Sequence, residues 1–295
     1  IQIHDDFRAV IGESGVDKIV AVGSNKSSEI VMNLYAEKYP QLADLPSIGG
    51  GKNSPYDPER IIALEPDVFI LNSWDADSMT ETINTLAKAG IATIIVDMSA
   101  NAMEAPQQAI EILGQVFREE EKAREIIDFI NTQLDLVREK NLGLRTDKPT
   151  VYIEKGSGTV EQYDVTFATG QWASVVEIAG GDNVAAGALE GDVQIDPEYL
   201  LSQDPDFIII AGSLGFGSDI DEADGLFEQY ASRTGWDRLS AVQNKRMYEV
   251  SHTMSRNAMC FYPTLQMAKL FYPEEFRDVD PDAILKEFFD KYIYL

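Results

Sequence analysis

The feature that most constrains this chain is a stretch written twice. Residues 57–71 read DPERIIALEPDVFIL and residues 196–210 read DPEYLLSQDPDFIII, with six of the fifteen positions identical. Both copies carry the same physical instructions. Asp57 or Asp196 can cap a helix by accepting orphan backbone N–H groups, and Pro58 or Pro197 stands at the first helical position, where its missing N–H costs nothing. The pair Ile61-Ile62 or Leu200-Leu201 supplies an apolar face, and Pro66 or Pro205 closes a helix of little more than two turns. The run Val68–Leu71 or Phe207–Ile210 is apolar throughout, which predicts a parallel strand covered on both faces. Upstream, SSEIVMNL (27–34) and SVVEIAGG (174–181) fall in the same order. The chain is read as a duplicated α/β build.

Length sets the scale: 295 residues suit two domains of about 100–150 residues each. The net charge of −26 repels nucleic acid and anionic lipid, so neither is expected as a partner. The lone Cys260 lies in the apolar run AMCFYP and reads as a buried structural thiol. No stretch approaches the ~18 consecutive apolar residues of a membrane span. Ile1 begins directly in polar sequence, so an export signal, if one exists, is expected outside this chain.

Further elements follow from periodicity. KIVAVG (18–23) reads as a buried strand, followed by the polar loop Ser24–Ser28 and a helix. That arrangement aims N–H groups at a ligand, but the GxGxxG and GxxxxGK[ST] spacings are missing and no nucleotide or other cofactor is expected. SIGGGKNSPY (47–56) and AGSLGFGSD (211–219) are glycine-rich loops. A helix is expected near 77–89, with strands at 91–97, 151–156 and 246–251 and a helix near 171–180. The tract 104–141 is helical, with a break suggested by Gly114 and EEEK (119–122). Beyond the break Ile126, Ile127, Ile130, Leu134 and Val137 keep the 3.6-residue period of a helix about twenty residues long. The C-terminus returns to helix in PTLQMAKLFYP and, after Asp280-Pro281, in DAILKEFFDKYI.

Two α/β lobes joined by a long helix resemble the class III substrate-binding proteins of ABC importers. The marks of the resemblance are GSNKSSEI, DPERIIALEPDVFIL, GIATIIVD, SVVEIAGGDN, DPEYLLSQDPDFIII and WDRLSAVQNKRMYEV, spanning roughly residues 15–273. It implies two Rossmann-like lobes with mainly parallel sheets: an N-terminal lobe at 1–118, a linking helix at 119–142 and a C-terminal lobe at 143–295. In that family the ligand lies between the lobes, at loops leaving strand ends. Here those loops hold Ser24, Asn25, Lys26, Lys52, Tyr56, Ser73 and Trp74 in the first lobe, and Lys155, Tyr163, Trp172, Phe216, His252 and Arg256 in the second. Aromatic residues suit a large chelated ligand and cations its carboxylates or oxyanions. Arg256 is the strongest single candidate because its fork can grip a carboxylate. The family's docking on its permease uses acidic rims, for which Asp77 or Glu81 and Asp221 or Glu222 are the candidates.

The resemblance implies a monomeric, extracytoplasmic, non-catalytic receptor for a ferric siderophore, haem or corrinoid. A molybdate or tungstate receptor of the same fold is the alternative, and a chelatase-like enzyme a further one. Only His4 and His252 are present, too few for the histidine–carboxylate cluster of a bare-metal carrier. His252 is open to two readings, an axial haem ligand or a hydrogen-bonded histidine.

Overall fold

The computed structural model describes residues 9–23, 36–50, 55–98, 100–189, 191–212, 220–252 and 254–293. The chain divides into two compact units. The first is Ile1–Met98, Ala105–Asp128 and Lys286–Leu295; the second is Ser99–Glu104 and Phe129–Leu285.

In the first unit, helix α1 (Pro58–Ala63) opens on Asp57, whose carboxylate accepts from the Arg60 N–H at 3.0 Å. It leads into β1 (Val68–Asn72), which pairs in parallel with β2 (Ala92–Val96) across α2 (Thr80–Lys88). The core gathers Ile48, Ile61, Phe69, Leu71, Met79, Leu86 and Ile91. The strand expected at KIVAVG is reduced to one parallel bridge, Val22 to Ser47. Residues Glu13–Lys18 are drawn into a 3-10 helix and Val20 is exposed, so too little of the run is left, and too little of it covered, to form a ladder. The long helical tract breaks where expected. α3 (Ala105–Phe117) ends before Arg118, a left-handed residue at φ 59°, and α4 (Glu120–Arg138) follows. A Cβ on Gly114 would stand 2.5 Å from that of Ala123, so glycine there lets α3 and α4 meet closely. Along α4 Ile126, Ile130, Leu134 and Val137 are buried. The division between units falls inside this helix, after Asp128.

The second unit carries a sheet in the order β6-β4-β3-β7-β8, with β5 also on β3. Its strands are β3 (Thr150–Lys155), β4 (Val165–Phe167), β5 (Asp182–Asn183), β6 (Asp192–Gln194), β7 (Phe207–Gly212) and β8 (Met247–Ser251). β3, β7 and β8 run parallel, while β4 and β6 are antiparallel additions. The mixed α/β class with parallel strands is as expected. Helix α5 (Gly170–Ile178) precedes β5, and α6 (Pro197–Gln203) is the second copy of α1, capped by Asp196 on the Tyr199 N–H at 2.9 Å. Three further helices are α7 (Ile220–Ala231), α8 (Phe261–Phe271) and α9 (Pro281–Phe288). The repeat also points the same positions inward. Ile61, Phe69 and Leu71 enter the first core, and their counterparts Leu200, Ile208 and Ile210 enter the second, beside Tyr152, Tyr230 and Trp236.

Candidate ligand site

Parallel strands end together, and ligands of such sheets gather at their carboxyl ends. In the second unit β3 ends at Lys155, β7 at Gly212 and β8 at Ser251. The ladder continues one residue further on both sides of β7: the Gly156 N–H donates to the Ala211 carbonyl and the His252 N–H to the Gly212 carbonyl, each at 2.8 Å. A Cβ on Gly156 would stand 2.3 Å from the Gly212 Cα, so the close approach here requires glycine. This edge carries Lys155 and His252.

His252 is fixed on two sides. Its ring stacks on Phe167 of β4, with centroids 5.8 Å apart and planes 29° apart. The Trp172 indole N–H of α5 donates to its Nδ1 at 3.3 Å. Burial, then the positive charges of Arg256 and Lys155, push its pKa down to about 3, against a smaller upward pull from Asp164. Of the residues expected at the site, Trp172 thus bonds to His252, and Lys155 and Arg256 act on it electrostatically. Trp172 itself is fully buried and reaches the site only by holding His252. Tyr163 is likewise committed: its hydroxyl accepts from the Trp236 indole N–H at 2.6 Å, and its ring lies under the Arg233 guanidinium at 4.2 Å.

Beneath this edge lies a polar cluster that the sequence reading missed. Glu154 and Arg233 are both buried and paired through two hydrogen bonds of 2.6 and 2.9 Å. Tyr152 OH also donates to Glu154 at 2.9 Å, and the Asp164 N–H at 2.7 Å. Arg233 further donates to the carbonyls of Thr159 and Gln162. Gly158 leaves room for the pair, since a Cβ there would lie 2.5 Å from both partners. The cluster thus ties down the loop 156–164 that follows Lys155, including Asp164, whose carboxylate also takes the Ser157 hydroxyl. One signal was available in the sequence: Glu154 directly follows the apolar run Val151–Ile153 within β3.

In the first unit, Tyr56 packs edge-on against Phe69 with centroids 5.4 Å apart. Gly50, at φ 110°, lies so near that a Cβ would meet the Tyr56 ring at 2.7 Å. Burial and then the Asp75 charge raise the Tyr56 pKa. Ser73 and Trp74 open the short helix Ser73–Ala76 at the carboxyl end of β1, with Trp74 exposed. Beside them Asn72 is buried, and its side-chain oxygen has no hydrogen-bond partner among the described residues. Asp77 and Glu81 are exposed. Ser24, Asn25, Lys26, Lys52 and Phe216 lie outside the described residues, and Asp221 and Glu222 stand in α7 at positions whose side chains are not described.

A family model described as periplasmic binding protein matches residues 9–252. Among solved structures, the TroA-like periplasmic binding protein FepB from Veillonella parvula superposes with a TM-score of 0.86 at 30% identity, covering 98% of this chain and 87% of that one. The molybdate-binding protein MolA of Haemophilus influenzae is 22% identical, covering 98% of this chain and 84% of the relative. Its molybdate-bound structure has a TM-score of 0.76. A haem uptake protein, IsdE of Staphylococcus aureus, is 24% identical over 86% of this chain and 81% of the relative. The chain belongs to the periplasmic binding protein family, in its TroA-like class, the substrate-binding proteins of ABC importers. Its relatives are substrate-binding transport proteins, and no helix among the described residues is long and apolar enough to cross a membrane.

Proposed function

We propose that this protein is a non-catalytic, monomeric, extracytoplasmic receptor. It captures an anionic metal chelate, such as a ferric siderophore or a metal-tetrapyrrole, and delivers it to an ABC permease. What supports the reading is that Lys155, which ends β3, and Arg256, just beyond β8, both act electrostatically on His252, in a chain with only 24 cations against 50 acids. A cation at the carboxyl end of β3 and another in the turn after β8 favour a ligand bearing carboxylates or oxyanions. Molybdate or tungstate is the second reading, supported by the match to MolA along 98% of this chain. Ser24, Asn25, Lys26, Lys52 and Phe216 are proposed as further contacts on resemblance alone. Asp77 or Glu81 and Asp221 or Glu222 are proposed to meet the permease.

Native mass spectrometry of freshly purified protein tests the ligand class through the mass of whatever is retained. Visible absorption separates iron or cobalt chelates from a colourless oxyanion. Arg256→Ala is expected to weaken binding of that ligand about tenfold or more, the loss of one charge-assisted hydrogen bond. An unchanged dissociation constant removes Arg256 from the site.

A further inference from the structure

Resting on this reading of the site, we propose that His252 is a neutral hydrogen-bond donor through Nε2–H to an anionic oxygen of the ligand, and not a ligand to its metal. The indole N–H of Trp172 can only donate, and it sits 3.3 Å from His252 Nδ1. Nδ1 must therefore accept, which places the single imidazole proton on Nε2. A doubly protonated ring would set one N–H against another.

The surroundings hold this state. The Phe167 face fixes the plane of the ring, and the His252 N–H bond to Gly212 fixes its backbone. The charged groups acting on the ring are Arg256 from the turn Met254–Arg256, Lys155 from β3 and Asp164 from the β3–β4 loop, and the two cations act in the same direction as burial. Both cations disfavour an imidazolium, and both disfavour a bare metal cation at Nε2. Coordination through Nε2 would need its proton moved to Nδ1, where Trp172 already donates. A hydrogen bond from Nε2–H to an anionic oxygen needs no such move, and the same cations strengthen it. The oxygen can belong to a free oxyanion or to a carboxylate of a chelate.

The test uses the full chain. His4→Gln leaves His252 as its one imidazole, so a two-bond proton–nitrogen spectrum of the labelled protein reads the tautomer directly. The expected result is Nε2–H, unchanged between pH 5 and pH 8. An Nδ1–H tautomer, or titration near the ordinary histidine value of 6.5, overturns the proposal, and this measurement needs no variant at 252. Calorimetry with sodium molybdate and with ferric citrate then separates a free oxyanion from a carboxylate chelate. For whichever probe binds, His252→Phe, which keeps a ring against Phe167, is expected to weaken binding about tenfold or more; unchanged affinity overturns the proposal. With haemin, an imidazole–iron absorption band that His252→Phe abolishes also overturns it. Binding of none of these probes by the His252 protein, with the tautomer as assigned, overturns the anion reading of the site and leaves the tautomer standing.

Discussion

The helix–strand unit at 57–72 and its repeat at 196–212 begin alike and end in different company. Both helices are capped by aspartate, and both stop at a left-handed residue, Glu65 at φ 49° and Asp204 at φ 40°. From there the copies diverge. β7 lies between β3 and β8 and is buried along its whole length; β1 has only β2 beside it among the described residues, and Val68 and Ile70 are half-buried. Asp204 takes the N–H and hydroxyl of Ser240 at 2.6 and 2.7 Å, and Asp206 takes those of Thr150 at 2.9 and 3.0 Å, whereas the Glu65 and Asp67 side chains take no such bonds among the described residues. An apolar run fixes that a strand forms. How much that strand stabilises depends on neighbours the run does not encode.

The largest expected effect concerns the polar cluster beside β7. Removing one member of a buried, bidentate pair leaves the other uncompensated, so Arg233→Met should cost about 3–5 kcal/mol. Chemical denaturation measures this, and a loss under about 1 kcal/mol would mean the pair is not buried as described. Next comes the comparison of equivalent strand positions. Ile209→Ala should cost about 2–5 kcal/mol, as for a fully buried aliphatic side chain, and Ile70→Ala clearly less. Hydrogen exchange of the β1 and β7 amides separates the two, and equal losses would erase the difference in burial.

Smaller effects probe where the copies part and where they agree. Asp204→Gly should destabilise by about 1–2 kcal/mol through the lost Ser240 bonds. Glu65→Gly, free of such bonds and relieved of the left-handed strain, should be neutral or stabilising by up to about 1 kcal/mol. A loss for Asp204→Gly and none for Glu65→Gly is the prediction; a destabilising Glu65→Gly breaks it. Last, Asp57→Ala and Asp196→Ala should each cost about 1 kcal/mol. A cap that mattered in one copy alone would show that the shared sequence does not give shared chemistry.

What was legible in the sequence was local. The Asp-Pro caps, including Asp280 on the Ala283 N–H at 3.1 Å, the strands at 68–72 and 207–212, and the break before α4 all follow from neighbouring residues. Lys155, His252 and Arg256 could be named from the sequence because Lys155 ends β3 and the other two come soon after β8, and a parallel sheet brings those strand ends to one edge. The Glu154–Arg233 pair was missed because its partners are 79 residues apart and Arg233 sits in an unremarkable polar stretch. The full burial of Trp172 was missed for a related reason: an aromatic residue near a site and one beneath it look the same in a sequence. KIVAVG misled because its hydrophobicity says nothing about the 3-10 helix that takes its first residue.

The return of residues 286–295 to the first unit bears on the order of assembly. Tyr292 and Ile293 are buried, and Tyr292 OH donates to the Glu125 carbonyl across 167 residues of chain. The first unit is thus completed by a segment that follows the whole of the second. Closing so long a loop is entropically slow, so the first unit stays unfinished until residues 286–293 are available, while the second unit needs only Ser99–Glu104 and Phe129–Leu285, all of which precede them.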